Sequence, residues 1–274
     1  MPEKIKVYSQ EEIEAMEKDR QRVLDVSEGD NKYTDSVKNL ALAEDGFRSK
    51  MTAKSIDQES QRELANDYAS VVLEKMESNK KEWEDPLTGL RNRRALMKEA
   101  VESLIHRIRD GGDCAILMLD FDHFKEVNDI YGHLGGDQAL KQMAQIIESS
   151  VRADDRIYRY GGEEFTVFLE NVTMEVAQVI AEKIRKKVEE TIIEINDKKG
   201  KEVNLKKTIS IGFASTKQLP NQESYSKEIL ANVDPSKIKG LIEKDVLEPL
   251  LKMADIALYD AKREGRNRVE CFRG

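Results

Sequence analysis

The chain has 274 residues, of which 39% are hydrophobic and 36% are charged, and its formal net charge is −8 at pH 7. This length suits one domain with a substantial extension, or two small domains, and the charged fraction exceeds that of an average globular protein. The net negative charge argues against a nucleic-acid backbone as the main partner.

The chain also lacks the marks of an exported or membrane-spanning protein. Its first residues, Met-Pro-Glu-Lys-Ile-Lys, do not form a signal peptide. No apolar run approaches the roughly 18 residues that a membrane-spanning helix needs. The two cysteines, Cys114 and Cys271, are too few for a disulfide framework. We therefore expect a cytoplasmic protein without a membrane span.

Residues 1–84 predict a helical region. Their apolar positions recur at spacings near three and four, as at Leu64, Tyr68, Val71, Val72, Met76 and Trp83. The region carries no nucleotide, haem or phosphoacceptor signature, so we expect a bundle or stalk with a regulatory or dimerising role. Asp85-Pro86 marks its end, because proline disfavours helix at the preceding residue. We predict two domains, at 1–84 and 85–274.

The second domain alternates helices with strands. Its predicted elements are a helix at 93–108, a strand at 114–119, a new segment from 124, a helix at 136–151, strands at 157–160 and 165–169, a helix at 172–193, a strand at 209–213, a helix at 246–263 and a strand at 268–272. This mixture predicts an α+β fold with an antiparallel-containing sheet. Residues 217–240 are polar, and we interpret them as a surface insertion, most simply a long loop.

Asp120 comes directly after the apolar run of the first strand, so it should lie at the end of a buried strand. The stretch Gly161-Gly162-Glu163-Glu164 joins two further strands, and its glycines predict a hairpin turn with two carboxylates at the tip. Mg²⁺ takes one or two protein carboxylates and completes its shell with phosphate oxygens and water, which suits Asp120 with Glu163. A helix cap at Asp120 and incidental acids at the turn are the simpler alternatives.

Other side chains have the chemistry to bind a nucleotide. The amide of Asn128 and the carboxylate of Asp137 could together recognise a guanine edge, with His133 between them. The alternative is a glycine-rich loop in which Asp137 caps a helix. Lys262 and Arg266, four residues apart, could meet phosphates, or could simply complement a helix dipole.

Taken together, several stretches resemble the GGDEF family of diguanylate cyclases over residues 85–274. They are Asp85-Pro86-Leu87-Thr88-Gly89-Leu90-Arg91-Asn92-Arg93-Arg94, Asp120-Phe121-Asp122-His123-Phe124-Lys125-Glu126-Val127-Asn128-Asp129, Gly161-Gly162-Glu163-Glu164-Phe165, and the closing run from Ala254 to Asn267. One pentapeptide would be weak support, whereas these stretches in this order and spacing are specific.

The resemblance implies a ferredoxin-like palm that converts two GTP to cyclic di-GMP and two pyrophosphates in a homodimer. It implies that Glu163 helps to deprotonate the ribose 3′-hydroxyl. Divalent metals, Mg²⁺ or Mn²⁺, should bind at Asp120, the Phe121 carbonyl, Glu163 and Glu164. Substrate should bind at Asn128, His133 and Asp137, with phosphates at Phe124, Lys125, Lys262 and Arg266. The N-terminal helices would then set the geometry of the dimer.

Arg152-Ala153-Asp154-Asp155 lies at the spacing of the family's inhibitory site, so Arg152 and Asp155 should bind the product. An ordinary Arg–Asp pair at a helix end is the alternative. Family members often carry a supporting arginine on a nearby helix, where this chain offers Lys183 or Arg185, which leaves the strength of inhibition open.

Two other functions stay possible on the sequence alone. One is a catalytically silent cyclic di-GMP receptor that uses only Arg152 and Asp155. The other is an interaction scaffold whose N-terminal helices recruit an unknown partner. The presence of Asp120, Glu163, Asn128 and Asp137 favours the active enzyme over the silent receptor.

Overall fold

The computed structural model describes residues 82–220 and 227–273, and the structural statements below concern those residues. The helical region predicted for residues 1–84 lies almost wholly outside them and stays a prediction. Its predicted end lies inside: residues 82 and 83 are helical, and Glu84 then forms an isolated β-bridge with Arg91.

The main sheet is built around one strand that is buried along all of its eight residues. The strands within the described residues are β1 (Arg91–Asn92), β2 (Cys114–Phe121), β3 (Arg156–Gly161), β4 (Glu164–Glu170), β5 (Ile193–Asn196), β6 (Glu202–Leu205), β7 (Ile209–Ser215) and β8 (Val269–Cys271). Six of them form a sheet in the order β1-β3-β4-β2-β7-β8. The central strand β2 runs antiparallel to both of its neighbours, β4 and β7.

Helices cover both faces of this sheet, because β2 is apolar on both faces. They are α1 (Arg93–Asp110), α2 (Phe124–Glu148), α3 (Met174–Glu190), α4 (Lys227–Asn232), α5 (Pro235–Ile242) and α6 (Glu248–Arg263). Side chains alternate along a strand. Leu117 and Leu119 of β2 therefore belong to the core under α2 and α3, whereas Ile116 and Met118 belong to the core under α1 and α6.

The order of elements β2-α2-β3-β4-α3-β7, with the sheet order β3-β4-β2-β7, is the ferredoxin-like arrangement of two βαβ units. It confirms the expected palm. The predicted helix at 172–193 is too long, because α3 ends at Glu190 and Thr191 is already extended. The β-branched run from Thr191 to Ile193 favours strand over helix, and Ile193 opens the small hairpin β5–β6.

The expectation of a long loop at 217–240 is wrong for the described part of that segment. Helices α4 and α5 occupy much of it, and a short π-helical turn at Glu243–Leu247 leads into α6. Ile238 and Ile242 of α5 are buried in the core that α1 shares. A few apolar residues among many polar ones therefore suffice to pack α5 against the core beside α1.

Helix α6 lies directly on the backbone of β7. A Cβ built at Gly212 of β7 would overlap the backbone of Leu258 and Ala254 in α6. Only glycine therefore permits this close approach. Among the described residues, no helix has both the length and the apolar character needed to cross a bilayer.

Candidate active site

The predicted hairpin is present, with its tip at Gly161-Gly162 and a register shift between Arg159 and Gly161. Gly162 has a φ of 49°, the left-handed conformation that the turn required. Glu163 and Glu164 follow it and are half-buried at the tip. The two acids therefore project from a fixed turn.

The hairpin tip is bonded to the end of β2. Asp120 lies directly opposite Glu164 in the β-ladder, and the Phe121 amide donates to the Glu163 carbonyl over 3.3 Å. Three carboxylates, those of Asp120, Glu163 and Glu164, are thereby gathered at one corner of the sheet. Asp120 caps no helix, so the simpler alternative for this residue is wrong.

The charges at this corner are not balanced within the protein. Burial raises the pKa of Asp120, and the neighbouring Asp122 adds to the effect, although the ammonium of Lys262 at 2.8 Å opposes both. Burial also raises the pKa of Glu163 and of Glu164, and in each case the charge of Asp120 contributes. Lys262 and the more distant Arg266 oppose these effects at Asp120 without reversing them, so the negative charge at this corner is not fully compensated.

This uncompensated negative charge suits a divalent cation. The donors are hard oxygens, the type that Mg²⁺ and Mn²⁺ prefer, and Lys262 already places one cation against Asp120. Among the described residues, no three His, Cys, Asp or Glu side chains form a ready-made metal cage. A metal here would therefore depend on oxygens from its ligand as well as on the protein.

Asp122 has a structural role that the sequence did not reveal. Its buried carboxylate accepts hydrogen bonds from Ser210 Oγ at 2.6 Å, from Thr208 Oγ1 at 2.7 Å and from the Asn267 amide at 3.1 Å. The turn it anchors contains Arg266 and Asn267, both with left-handed φ values, of 63° and 48°. Asp122 thus fixes the turn that presents Arg266 beside the acidic corner.

A second anchor ties the hairpin tip to the start of the domain. Arg159 donates through one nitrogen to both carboxylate oxygens of Asp85, at 2.9 and 3.0 Å, and through two others to the Gly162 carbonyl. Burial by itself would raise the pKa of Asp85, but hydrogen bonds from Arg159 and Thr88 outweigh it and lower that pKa. The ion pair is therefore held in its charged form.

The predicted base-recognition residues lie on the two sides of a break in α2. Gly132 leaves the helical conformation, with φ 83° and ψ 168°, and the chain then continues as helix. Beyond the break, a Cβ on Gly136 would collide with Oδ1 of Asn128. The Asn128 amide therefore rests against the second half of α2 at Gly136, the residue that precedes Asp137 in the chain. Asp137 lies within that half rather than at its first residue, so the capping alternative is wrong.

The predicted phosphate contacts divide into two groups. Lys262 lies at the acidic corner, and Arg266 is close enough to influence the pKa of Asp120. Lys125 is exposed in the first turn of α2. His133, which was predicted to bind substrate beside Asn128 and Asp137, is exposed just after the helix break. The Phe124 side chain is buried against the Phe121 ring, with centroids 5.3 Å apart, so only its backbone is available to a ligand.

The predicted product site is a tight turn between α2 and β3. The Arg152 amide donates to Asp155 Oδ2 at 3.0 Å, and the Asp155 amide donates to the Arg152 carbonyl at 3.1 Å. The Arg152 guanidinium is exposed and forms no ion pair within the described part of the chain, whereas the two residues are bonded to each other through the Arg152 backbone, as an ordinary turn at a helix end would have them. Arg185 is not available as a supporting cation, because it binds Glu182, Glu189 and Asn267.

Comparison with known proteins gives a consistent family assignment. The family model described as "Diguanylate cyclase, GGDEF domain" matches residues 82–236. Diguanylate cyclase A of Treponema denticola is 42% identical over 155 residues, which are 57% of this chain and 34% of that protein. Diguanylate cyclase DosC of Escherichia coli is 34% identical over 189 residues, which are 69% of this chain and 35% of that protein. The chain therefore spans about a third of the length of these curated relatives.

A solved structure supports the same assignment. It contains the coiled coil and GGDEF domain of DgcB from Caulobacter crescentus in complex with c-di-GMP. The two chains superpose with a TM-score of 0.59 at 28% identity, over 78% of this chain and all of that one.

The Asp85–Arg159 pair gives a pH-dependent prediction. Because the folded pKa of Asp85 lies below its ordinary value of 3.8, its charged form stabilises the fold above that pH, and this contribution is lost as the pH falls through the folded pKa. Asp85→Asn should lower the free energy of unfolding by about 1–3 kcal/mol at pH 7. The difference from the wild type should shrink toward pH 3 in urea titrations.

The exposed Asp154, changed to Asn, is the matched control and should follow the wild type at both pH values. A difference for Asp85→Asn that is the same at both pH values would contradict the role of the charged pair.

Proposed function

Since the chain belongs to the GGDEF-domain family of diguanylate cyclases, we propose that it condenses two molecules of GTP into cyclic di-GMP and two pyrophosphates. The observation that carries this proposal is the corner where Asp120, Glu163 and Glu164 meet beside Lys262. In the reaction, each ribose 3′-oxygen forms a bond to the α-phosphorus of the other GTP. The bond between the α- and β-phosphates breaks, and pyrophosphate leaves.

We assign Glu163 as the general base that accepts the proton of the attacking 3′-hydroxyl. It projects from the hairpin tip, and its raised pKa suits a general base better than that of a fully solvated carboxylate. We propose that Asp120, the Phe121 carbonyl, Glu163 and Glu164 hold Mg²⁺ or Mn²⁺. Such a metal, when bound, would lower the pKa of the hydroxyl and offset the charge that builds on the phosphate.

We propose that the positively charged groups around the acidic corner bind the triphosphate of GTP. Lys262 and Arg266 flank Asp120 from the end of α6 and the turn after it. The first turn of α2 adds Lys125 and the backbone at Phe124, since the start of a helix favours anions. We assign the guanine to Asn128 and Asp137, whose amide and carboxylate suit its donor and acceptor edge, with His133 beside them.

The first test is turnover of GTP with Mg²⁺, with the nucleotides resolved by chromatography. The wild type should form cyclic di-GMP, and Glu163→Gln should lower the rate by about a hundredfold or more, as loss of a general base does. Glu202→Gln, which alters an exposed glutamate of β6, should keep the wild-type rate.

Equal rates for Glu163→Gln and the wild type would contradict the role of Glu163. A folded wild type that binds cyclic di-GMP and forms none would contradict the cyclase and indicate the silent receptor instead.

We propose that the active form is a homodimer. Each domain offers one corner of this kind, whereas the reaction joins two GTP molecules, so two domains must face each other across a two-fold axis. We assign to residues 1–84 a regulatory or dimerising role, because a helical region ahead of the domain could set that geometry.

Deletion of residues 1–80 tests the role of this region. The truncated protein should lose dimer in sedimentation experiments and form cyclic di-GMP more slowly at equal concentration, because encounters between domains become bimolecular. An unchanged dimer with an unchanged rate would overturn the assignment.

We also propose that the product inhibits at Arg152 and Asp155. The Arg152 guanidinium is exposed and available to grip a guanine or a phosphate. With Arg185 bound to acids of its own helix, the supporting cation would be the exposed Lys183, which predicts weaker inhibition than an arginine would give.

Arg152→Ala should raise the concentration of added cyclic di-GMP that halves the rate, by about tenfold or more, through loss of a charged hydrogen-bonding group. The rate without added product should stay at the wild-type value. Arg109→Ala removes an exposed arginine at the end of α1 and serves as the control. Identical inhibition curves for Arg152→Ala and the wild type would refute the site.

A further inference from the structure

We propose that the β5–β6 hairpin determines how strictly the site selects guanine, because it holds the two halves of α2 at a fixed angle. Lys198, in the turn of this hairpin, is the positioning residue. The inference rests on the proposed function, in which Asn128 and Asp137 read the base.

The two base-reading residues are not held by one continuous helix. Asn128 precedes the break at Gly132 and Asp137 follows it, so their relative placement depends on the angle at the break. The Asn128 amide fits only because Gly136 has no side chain to displace it. A small change of angle would separate the amide from the carboxylate, and a bidentate grip on a base tolerates little such change.

Lys198 anchors the first half of α2. A helix break leaves backbone carbonyls without their partners four residues on. The carbonyl of Asp129 instead accepts a hydrogen bond from Lys198 Nζ at 2.8 Å. The aliphatic stem of Lys198 covers Gly132, with Cγ 3.3 Å from where a Cβ of that glycine would be. Lys198 therefore lies across the break itself.

The same hairpin is bonded to the second half of α2. Gln138 accepts a hydrogen bond from the Asn196 amide at 2.6 Å, and Gln142 accepts one from the Glu194 amide at 2.9 Å. The Gln142 side chain also donates to the Glu194 carbonyl. These glutamines satisfy backbone groups at the edge of β5 that would otherwise lack partners. Ile195 of β5 is buried and adds an apolar contact.

The β5–β6 hairpin therefore connects the two halves of α2, and we call this connection through Lys198, Gln138 and Gln142 the strut. Its strand is fixed to the second half through Gln138 and Gln142, and its turn reaches back to the first half through Lys198. Loss of the Lys198 ammonium should free the first half, which carries Asn128, while the second half stays attached.

The test compares nucleotides that differ only in the base. Inosine lacks the exocyclic amine of guanine, so the ratio of the dissociation constants for IDP and GDP measures base recognition without turnover. Titration calorimetry with Mg²⁺ should show that Lys198→Met lowers this ratio roughly three- to tenfold, the value of one exposed hydrogen bond. The ratio of kcat/KM for GTP over ITP should fall in parallel.

Two lysine variants control for charge and for donor chemistry. Lys199→Met removes the same charge from the neighbouring exposed residue and should keep the wild-type ratio. Lys198→Arg keeps a donor for the Asp129 carbonyl and should restore most of the ratio. A matched pair tests the other end of the strut: Gln138→Leu should lower the ratio, whereas Gln138→Glu retains an acceptor for the Asn196 amide and should keep it.

A wild-type ratio in Lys198→Met would overturn the proposal, and so would equal losses of affinity for GDP and IDP. A wild type that prefers GDP but forms no cyclic di-GMP would refute the cyclase and leave the strut testable by binding. A wild type that binds both nucleotides equally would remove the base-reading roles of Asn128 and Asp137, and the strut with them.

Discussion

The complete burial of β2 is the constraint on which the rest of the domain depends. A strand with no exposed residue must be flanked by strands and covered on both faces, and this requirement accounts for β4, β7 and the two helical layers. The same burial alters the electrostatics of the carboxylate at the end of the strand. Asp120 is the last but one residue of β2 and is only 6% exposed, and its charge contributes to the raised pKa values of Glu163 and Glu164.

The acidic corner and the neighbouring break in α2 are held in place by three contacts between segments far apart in sequence. Asp85 and Arg159, 74 residues apart, fix the hairpin tip. Asp122 and the amide of Asn267, 145 residues apart, fix the turn after α6. Lys198 and the carbonyl of Asp129, 69 residues apart, span the break in α2. Each contact uses a charged side chain to join two segments that are distant in the chain.

Local sequence was sufficient to locate the parts of the site but not the contacts that hold them. The strand that ends in Asp120 and the glycine turn before Glu163 follow from residues that are neighbours in the chain, and both are confirmed. The partner of Arg159 and the burial of Asp122 depend on folding across the whole domain, so no local pattern predicts them. The motif that begins at Asp85 was the one sequence feature that pointed to this residue, and it did not identify Arg159 as its partner.

The error of the sequence analysis at residues 217–240 has a plain physical origin. Residues 217–240 were expected to form a loop because polar residues outnumber apolar ones there, yet Ile238 and Ile242 suffice to attach α5 to the core. A few buried side chains decide the structure of this segment, and composition averages over them. The assignment of Phe124 to phosphate stays a prediction that depends on its backbone, because its ring is buried beside that of Phe121.

The absence of a side chain at Gly212 has a consequence for how α6 is positioned on the sheet. Because α6 is seated on the strand itself, the helix cannot slide by a turn without lifting away from the sheet. The close backbone contact at Gly212, a position that accepts no side chain, therefore fixes the placement of Lys262 on α6 relative to Asp120 on β2. Substitutions on the exposed face of α6 leave the contact at Gly212 untouched, so the spacing between the charges of Lys262 and Asp120 does not depend on them.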